Sequence, residues 1–157
     1  MKSSPVCGGL DGLLAVIGRY FQSPLLLLIR LYWGWGFFQT GKGKLQNLER
    51  TAGFFASLHI PLPKLNAILA GSTECVGGLL LLLGLGSRWA TPPLIFTMIV
   101  AYITSEKEAL QALTSDPDKF VTAAPFLFLL AALIVFSFGP GLFSIDALLG
   151  RKTNAGK

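Results

Sequence analysis

The chain has 157 residues, of which 52% are hydrophobic and only 13% are charged. Soluble domains carry about 25% charged residues, so this composition excludes an ordinary soluble domain and indicates a membrane protein. The formal charge is +5, but the basic residues are scattered at the ends of apolar runs, as anchors at lipid headgroups are, rather than clustered as on a nucleic-acid surface. Two cysteines and one histidine argue against a zinc site or a disulfide framework. We expect a single membrane domain, residues 1–157.

The first twenty residues contain an apolar stretch that could be mistaken for a signal peptide. Asp11 and Arg19 interrupt this stretch, and no small-residue cleavage site follows it. One face at helical spacing is formed by Leu10, Leu13, Leu14, Ile17 and Phe21. These features predict a retained amphipathic helix that lies in the plane of the membrane.

Four apolar stretches follow, each long enough to be a candidate for crossing the bilayer. They cover approximately residues 24–41, 65–86, 89–105 and 120–138. Glycines are frequent in the second stretch and would allow close approach of a neighbouring helix, and Pro125 is expected to kink the fourth slightly. The sequence therefore predicts an all-α fold, an integral membrane four-helix bundle with short in-plane amphipathic helices.

The connections between these spans are polar. Between the first and second spans we predict a short surface helix that is stopped by Pro61 and Pro63. After the fourth span, the glycines and proline at 139–141 end the helix, and the segment FSIDALLG is expected to form an amphipathic tail. Four spans place both termini on one side of the membrane. Lys and Arg are equally divided between the two sides, but fewer acids lie on the terminal side, which favours cytoplasmic termini.

Two ionisable residues fall within the predicted spans, Arg30 in the first and Glu74 in the second. Each would cost about 2.5–3.5 kcal/mol near the bilayer centre if it were not neutralised. Because the two helices would be antiparallel and the guanidinium is long, we predict that Arg30 and Glu74 form a buried pair. Gly34, one turn after Arg30, would let the second helix approach.

The predicted pair has two interpretations. It could fix the register of two helices without binding any ligand. Alternatively, one member could contact the head group of a quinone, a lipid or a small polar substrate, because charges inside a membrane commonly mark functional sites. An aromatic-lined cleft beside the pair would suit a quinone ring. The residues identify no catalytic group and no metal site.

Four stretches occur in a fixed order between residues 24 and 149: LLIRLYWGWGFFQTGKGKL, GFFASLHIPLP, ECVGGLLLLLGLGSR and GPGLFSIDAL. Their order resembles that of the DoxX family of small bacterial membrane proteins. The matching positions are Arg30, Lys44, Glu74, Gly77, Gly78, Arg88, Gly139, Gly141 and Asp146. The resemblance implies a four-helix bundle in a bacterial inner membrane. For some relatives it also implies association with thiosulfate:quinone oxidoreduction or with membrane-bound oxidoreductase and thiol-stress complexes.

Two functional hypotheses follow, and the sequence does not decide whether the chain is an enzyme. In the first, the chain is a subunit of a quinone-linked or thiol/sulfur oxidoreductase system, with Arg30, Glu74 and Lys44 as candidate ligand-binding residues and a quinone as the ligand. In the second, it is a structural or assembly subunit of a larger membrane complex and has no ligand site. A transporter ranks last, because the spans offer few polar groups. We expect no intrinsic cofactor; the expected partners are the bilayer, other membrane or redox proteins and a second copy of the chain, but not nucleic acid.

Overall fold

The computed structural model describes the backbone of residues 5–154 and the side chains of residues 11–150. Every regular element in this part of the chain is an α-helix, which confirms the all-α prediction for it. The helices are α1 (Pro5–Gln46), α2 (Leu48–Ser57), α3 (Pro63–Leu83), α4 (Ser87–Thr104), α5 (Lys107–Gln111), α6 (Pro117–Thr122), α7 (Pro125–Phe138) and α8 (Ile145–Asn154). The short helix predicted before Pro61 is α2, and the tail predicted after residue 141 contains α8.

The first helix is longer than predicted. α1 has 42 residues and is therefore about 63 Å long. The prediction of a separate in-plane helix, followed by a span that begins at Pro24, is wrong, because Pro24 lies inside α1. A proline removes one backbone hydrogen bond, and the four leucines that follow it, Leu25 to Leu28, favour helix strongly enough to continue it. Of the predicted amphipathic face, Leu10 lies outside the described side chains, and all residues from 11 to 22 are exposed.

Four of the helices pack side by side. α1 lies against α3, α3 against α4, α4 against α7, and α7 returns to α1, while α2 packs on α3. The core between them contains Phe37, Leu81, Leu94, Met98 and Val135. Many other large apolar side chains face outward, which is the distribution expected of helices that expose an apolar surface to lipid.

Glycines bring α1 and α3 into close contact and set their antiparallel register. A Cβ atom on Gly34 would lie 2.8 Å from the backbone nitrogen of Leu82, and one on Gly41 would lie 2.9 Å from the Cα atom of Cys75. Only residues without a side chain allow two helix backbones to approach so closely. The close approach was predicted, but Gly34 meets Leu82 rather than the turn that contains Glu74.

Of the described helices, two are long and apolar enough to cross a membrane, residues 11–46 of α1 and the whole of α3. α4 has 18 residues and α7 has 14. The predicted span 120–138 is interrupted, because α6 ends at Thr122 and α7 begins at Pro125. The break follows from Pro125, which has no amide hydrogen to continue the helix; Ala123, two residues before it, is extended.

Candidate ligand-binding site

A buried ion pair joins α3 to the end of α1. Glu74 is only 1% exposed, and its carboxylate pairs with the ammonium group of Lys44. The register of the two helices produces this contact, because Gly41 lies against Cys75 and Lys44 follows about one turn later on α1. The Lys44 side chain is 30% exposed. The pair therefore connects a buried carboxylate to a partly accessible ammonium group.

The predicted pair between Arg30 and Glu74 is wrong, although both residues are buried as expected. Arg30 lies beside Gly84, where an added Cβ atom would overlap its Nη1, and Gly84 is about 15 Å further along α3 than Glu74. The guanidinium donates a hydrogen bond to the backbone carbonyl of Phe143 instead, at 2.5 Å. The prediction failed because sequence spacing does not determine how far one helix is shifted along its neighbour.

Arg30 belongs to a separate polar cluster at the C-terminal end of α3, whereas Glu74 lies near the middle of that helix. There the Asp146 carboxylate accepts hydrogen bonds from the backbone N–H groups of Gly86, at 2.7 Å, and Ser87, at 3.1 Å. A carboxylate at this position satisfies free N–H groups at the start of α4 and balances the positive end of its dipole. The Asp146 N–H group donates to the Gly84 carbonyl at 3.0 Å. This cluster holds α8 against the turn between α3 and α4.

The other positions that carried the family resemblance are packing positions. A Cβ atom on Gly77 would lie 2.9 Å from the Leu94 side chain. At Gly141, it would lie 3.4 Å from Leu26. The Arg88 side chain passes beside Gly139. These positions therefore bring helices and turns together.

A cavity of about 440 Å³ lies beside the Lys44–Glu74 pair, and we call it the chamber. Residues of α1, α2, α3, α4 and α7 form its mainly apolar wall. Its aromatic residues are Phe54, Phe55, Phe96 and Phe128, and its polar residues include Lys44, Glu74, Asn66, Thr73 and Thr97. A mostly apolar pocket with a few converging polar groups is the usual form of a small-molecule site.

One aromatic wall of the chamber is held in place from behind. The ring of Phe128 on α7 contacts Trp33 at 4.9 Å and Phe37 at 4.7 Å between centroids, and both contacts are edge-to-face. Such contacts favour one orientation of each ring. Phe128 therefore presents a fixed apolar surface to the chamber, and Trp33 lies directly behind it.

Two of the three candidate ligand-binding residues, Lys44 and Glu74, lie together at the chamber, whereas Arg30 does not. Sequence analysis missed the phenylalanines of α2 and the carboxylate of Glu106, which also lines the chamber. The paired Phe54 and Phe55 in a polar connection were a usable signal. Glu106 had none, because it begins a charged segment that resembles an ordinary loop.

The sequence model of the DoxX family matches residues 25–107, from the middle of α1 to the first residue of α5. The match covers more than half of the chain and includes Arg30, Lys44 and Glu74. The chain belongs to the DoxX family.

Two relatives of this DoxX protein extend the comparison. It is 31% identical over 144 residues to "Uncharacterized membrane protein Rv3486" of Mycobacterium tuberculosis, with 84% of this chain and 85% of that protein aligned. It is 37% identical over 83 residues to "Putative oxidoreductase CatD" of Bacillus subtilis, with 53% of this chain and 60% of that protein aligned. No solved structure matches significantly. The family and these relatives identify a membrane protein, which contacts the lipid bilayer.

Proposed function

We propose that this DoxX protein is a subunit of a quinone-linked or thiol/sulfur oxidoreductase system in the bacterial inner membrane, and that its chamber binds a quinone. The observation that carries the proposal is the aromatic-lined chamber with the buried Lys44–Glu74 pair in its wall. The oxidoreductase name of the relative CatD supports the redox association. In this proposal a partner protein supplies the redox centre, and the DoxX chain has no cofactor of its own.

The chemistry of a quinone head group matches the chamber. The head group is a flat apolar ring with two carbonyl oxygens, so it needs aromatic or aliphatic surfaces on its faces and hydrogen-bond donors at its edge. The phenylalanines provide the surfaces. The Lys44 ammonium provides a donor, and Glu74 keeps that ammonium at the wall. The volume of about 440 Å³ lies within the range of about 300–1,000 Å³ that is usual for ligand pockets.

We also propose that the chain forms one domain with four membrane crossings, by α1, α3, α4 and α7. These helices surround one core, and α4 would extend about 27 Å through the bilayer. The 14 residues of α7 give only about 21 Å, so α6 would complete that crossing. Lys and Arg are equally divided between the two sides, and the cytoplasmic termini of this proposal rest on the smaller number of acids on the terminal side.

Quinone binding can be measured through Trp33. A variant in which Trp35 and Trp89 are replaced by phenylalanine keeps Trp33, behind the chamber wall, as the one tryptophan, and excitation selective for tryptophan then reports on it alone. In lipid nanodiscs, a short-chain quinone should quench its fluorescence with saturation. Glu74→Gln should raise the dissociation constant about tenfold or more, because the Lys44 ammonium is no longer held at the wall. The quinone then loses a charge-assisted hydrogen bond, which is worth about 1.5–3 kcal/mol.

A matched control and a steric variant complete this test. Glu49→Gln removes a carboxylate from the exposed pair with Lys64, away from the chamber, and should leave the affinity unchanged. Ala70→Leu places bulk into the chamber without changing any charge and should weaken binding. If the parent protein does not bind quinone, or if neither chamber variant alters the affinity of a folded protein, the proposal is wrong. Co-purification of a stoichiometric membrane partner without quinone would instead support the structural or assembly role.

A further inference from the structure

A second cavity adjoins the chamber. It has a volume of about 600 Å³, and we call it the vestibule. Four residues line both cavities: Leu58, Thr104, Ser105 and Glu106. The rest of the vestibule wall is mostly polar and includes His59, Lys107, Glu108, Lys119 and Thr122. The apolar chamber therefore meets a polar, water-compatible space at the end of α4.

Of the residues whose side chains the structure describes, Glu106 is the one carboxylate that lines both cavities. Among the described residues, none of the ion pairs includes Glu106, and its side chain is partly buried. The nearby Glu108 differs in both respects. Glu108 is exposed and accepts a hydrogen bond from Lys119 at 2.9 Å, and this bond lowers the pKa of the Glu108 carboxyl group. Glu106 is thus a carboxylate outside these ion pairs that lies at the boundary between the two spaces.

The proposed quinone chemistry needs such an exchange. Reduction of a quinone to a quinol consumes two electrons and two protons, and oxidation of the quinol releases them. Glu74 is buried and Lys44 is only partly exposed in the mainly apolar wall of the chamber, so each proton that the pair transfers must be replaced from water. Carboxylates in series with ordered water commonly provide this connection in membrane proteins.

We propose that Glu106 carries protons between water in the vestibule and the quinone site beside Lys44 and Glu74. The inference rests on the proposed function. In the reducing direction, a dithiol of the partner oxidoreductase becomes a disulfide and releases two electrons and two protons. The electrons reduce the quinone, the protons enter the water, and two protons pass from the vestibule through the Glu106 carboxyl group to the quinone oxygens. Water in the two cavities bridges any gap that the side chains leave.

The groups around Glu106 define the conditions of the test. The vestibule side presents His59, Lys107, Glu108 and Lys119, the chamber side presents Lys44 and Glu74, and Tyr102 lies about one turn earlier on α4. Replacement of Glu106 by glutamine keeps its size and removes its ability to transfer a proton. The same replacement at Glu108 removes an equal charge from the vestibule alone, so it separates proton transfer from a general electrostatic effect.

The experiment uses the full chain in nanodiscs, in excess over a short-chain quinone, with sodium dithionite as the electron donor in a stopped-flow instrument. The quinone dissociation constant of Glu106→Gln should stay within about twofold of wild type. Its rate of quinol formation should fall about 100-fold or more, the range of a lost acid–base group, and should lose its dependence on pH. Glu106→Asp should restore most of the rate, as should added formate, which is small enough to enter the vestibule.

The outcomes separate this inference from the function on which it rests. Glu108→Gln should reduce quinone at the wild-type rate. If Glu106→Gln binds quinone and reduces it at that rate too, or if Glu108→Gln is equally slow, Glu106 is not the proton carrier, although the quinone site stands. If the wild-type protein does not bind quinone, the proposed function fails, and the proton route fails with it.

Discussion

Glu74 is buried because Lys44 reaches it from the neighbouring helix. A carboxylate without a partner at this depth would retain most of its desolvation penalty, which is several kcal/mol for a buried ion. Lys44 lies near the end of α1, where its ammonium remains partly exposed and needs little desolvation. The pair is therefore less costly than two fully buried charges would be. The same arrangement leaves ammonium hydrogens available for a ligand in the chamber.

Removal of the lysine should reveal the dependence of Glu74 on its partner. We expect Lys44→Met to lower the free energy of unfolding by about 3 kcal/mol, because it leaves a buried carboxylate unpaired. Lys64→Met, in the exposed pair with Glu49, should cost less than about 1 kcal/mol. Thermal unfolding in detergent would measure both. The double variant Lys44→Met/Glu74→Gln should regain part of the loss. Equal losses of unfolding free energy in Lys44→Met and Lys64→Met would contradict this account.

At the scale of the elements, the contact between α1 and α3 determines which charges meet. Gly41 and Gly78 allow the two backbones to approach, and they fix the axial position of one helix on the other. The same register places Lys44 at Glu74, and it leaves Arg30 beside Gly84 at the other end. A shift of one turn, about 5.4 Å, would break both arrangements. The register of α1 on α3 therefore determines both the close glycine contacts and the position of Lys44 at Glu74.

Alanine substitutions should test the close approach. A Cβ atom on Gly41 would lie 2.6 Å from the Gly71 carbonyl oxygen, and one on Gly78 would lie 2.5 Å from the Phe38 nitrogen. We expect Gly41→Ala and Gly78→Ala each to destabilise the protein by about 1–3 kcal/mol, because backbone atoms cannot move aside as a flexible side chain can. Both should also weaken quinone binding by displacing Lys44.

Gly43 is the matched control on the same helix, because a Cβ atom there would meet nothing within 4 Å. Gly43→Ala should be neutral or should stabilise the protein by up to about 1 kcal/mol, since alanine favours helix more than glycine does. Unfolding midpoints of the three variants in one detergent would compare them. Equal effects at Gly41 and Gly43 would show that helix propensity matters here and that the contact does not.

At the scale of the whole molecule, the outward surface of the packed helices is apolar and the polar groups are gathered at a few places. The Arg30 cluster and the Lys44–Glu74 pair lie at different levels along α3. The chamber lies at the level of the Lys44–Glu74 pair. It adjoins the connection between α2 and α3 and the segment that follows α4. The vestibule opens at the same end. A four-crossing arrangement would therefore place the vestibule on the side opposite the termini.

This arrangement predicts which positions face the same side of the membrane. In a background with both cysteines changed to serine, His59→Cys and Ser115→Cys should react alike with an impermeant maleimide added to intact cells. Thr153→Cys should react only after the membrane is opened. One crossing, α7, separates it from position 115, and four separate it from the N-terminus, so it lies on the proposed cytoplasmic side. Labelling of 59 and 115 from opposite sides would exclude four crossings.

The sequence by itself determined much of the secondary structure and the environment. The length of the apolar segments indicated a membrane protein. The segments 65–86 and 89–105 match α3 and α4 within a few residues. Arg30 and Glu74 are buried as predicted. These features depend on local composition and on the cost of leaving a charge in an apolar region. The continuity of α1 through Pro24 and the break before Pro125 were less accessible, because the effect of a proline depends on its neighbours.

Only the tertiary structure decided which residues meet. Glu74 could have paired with Arg30 or with Lys44, since both lie on the neighbouring helix and both side chains are long. The choice depends on the axial shift between α1 and α3, which glycine contacts set across the interface. The chamber likewise needs α2 and α7 beside the same turn of α3. Side-chain spacing along one helix contains no information about either arrangement, because both are relations between helices.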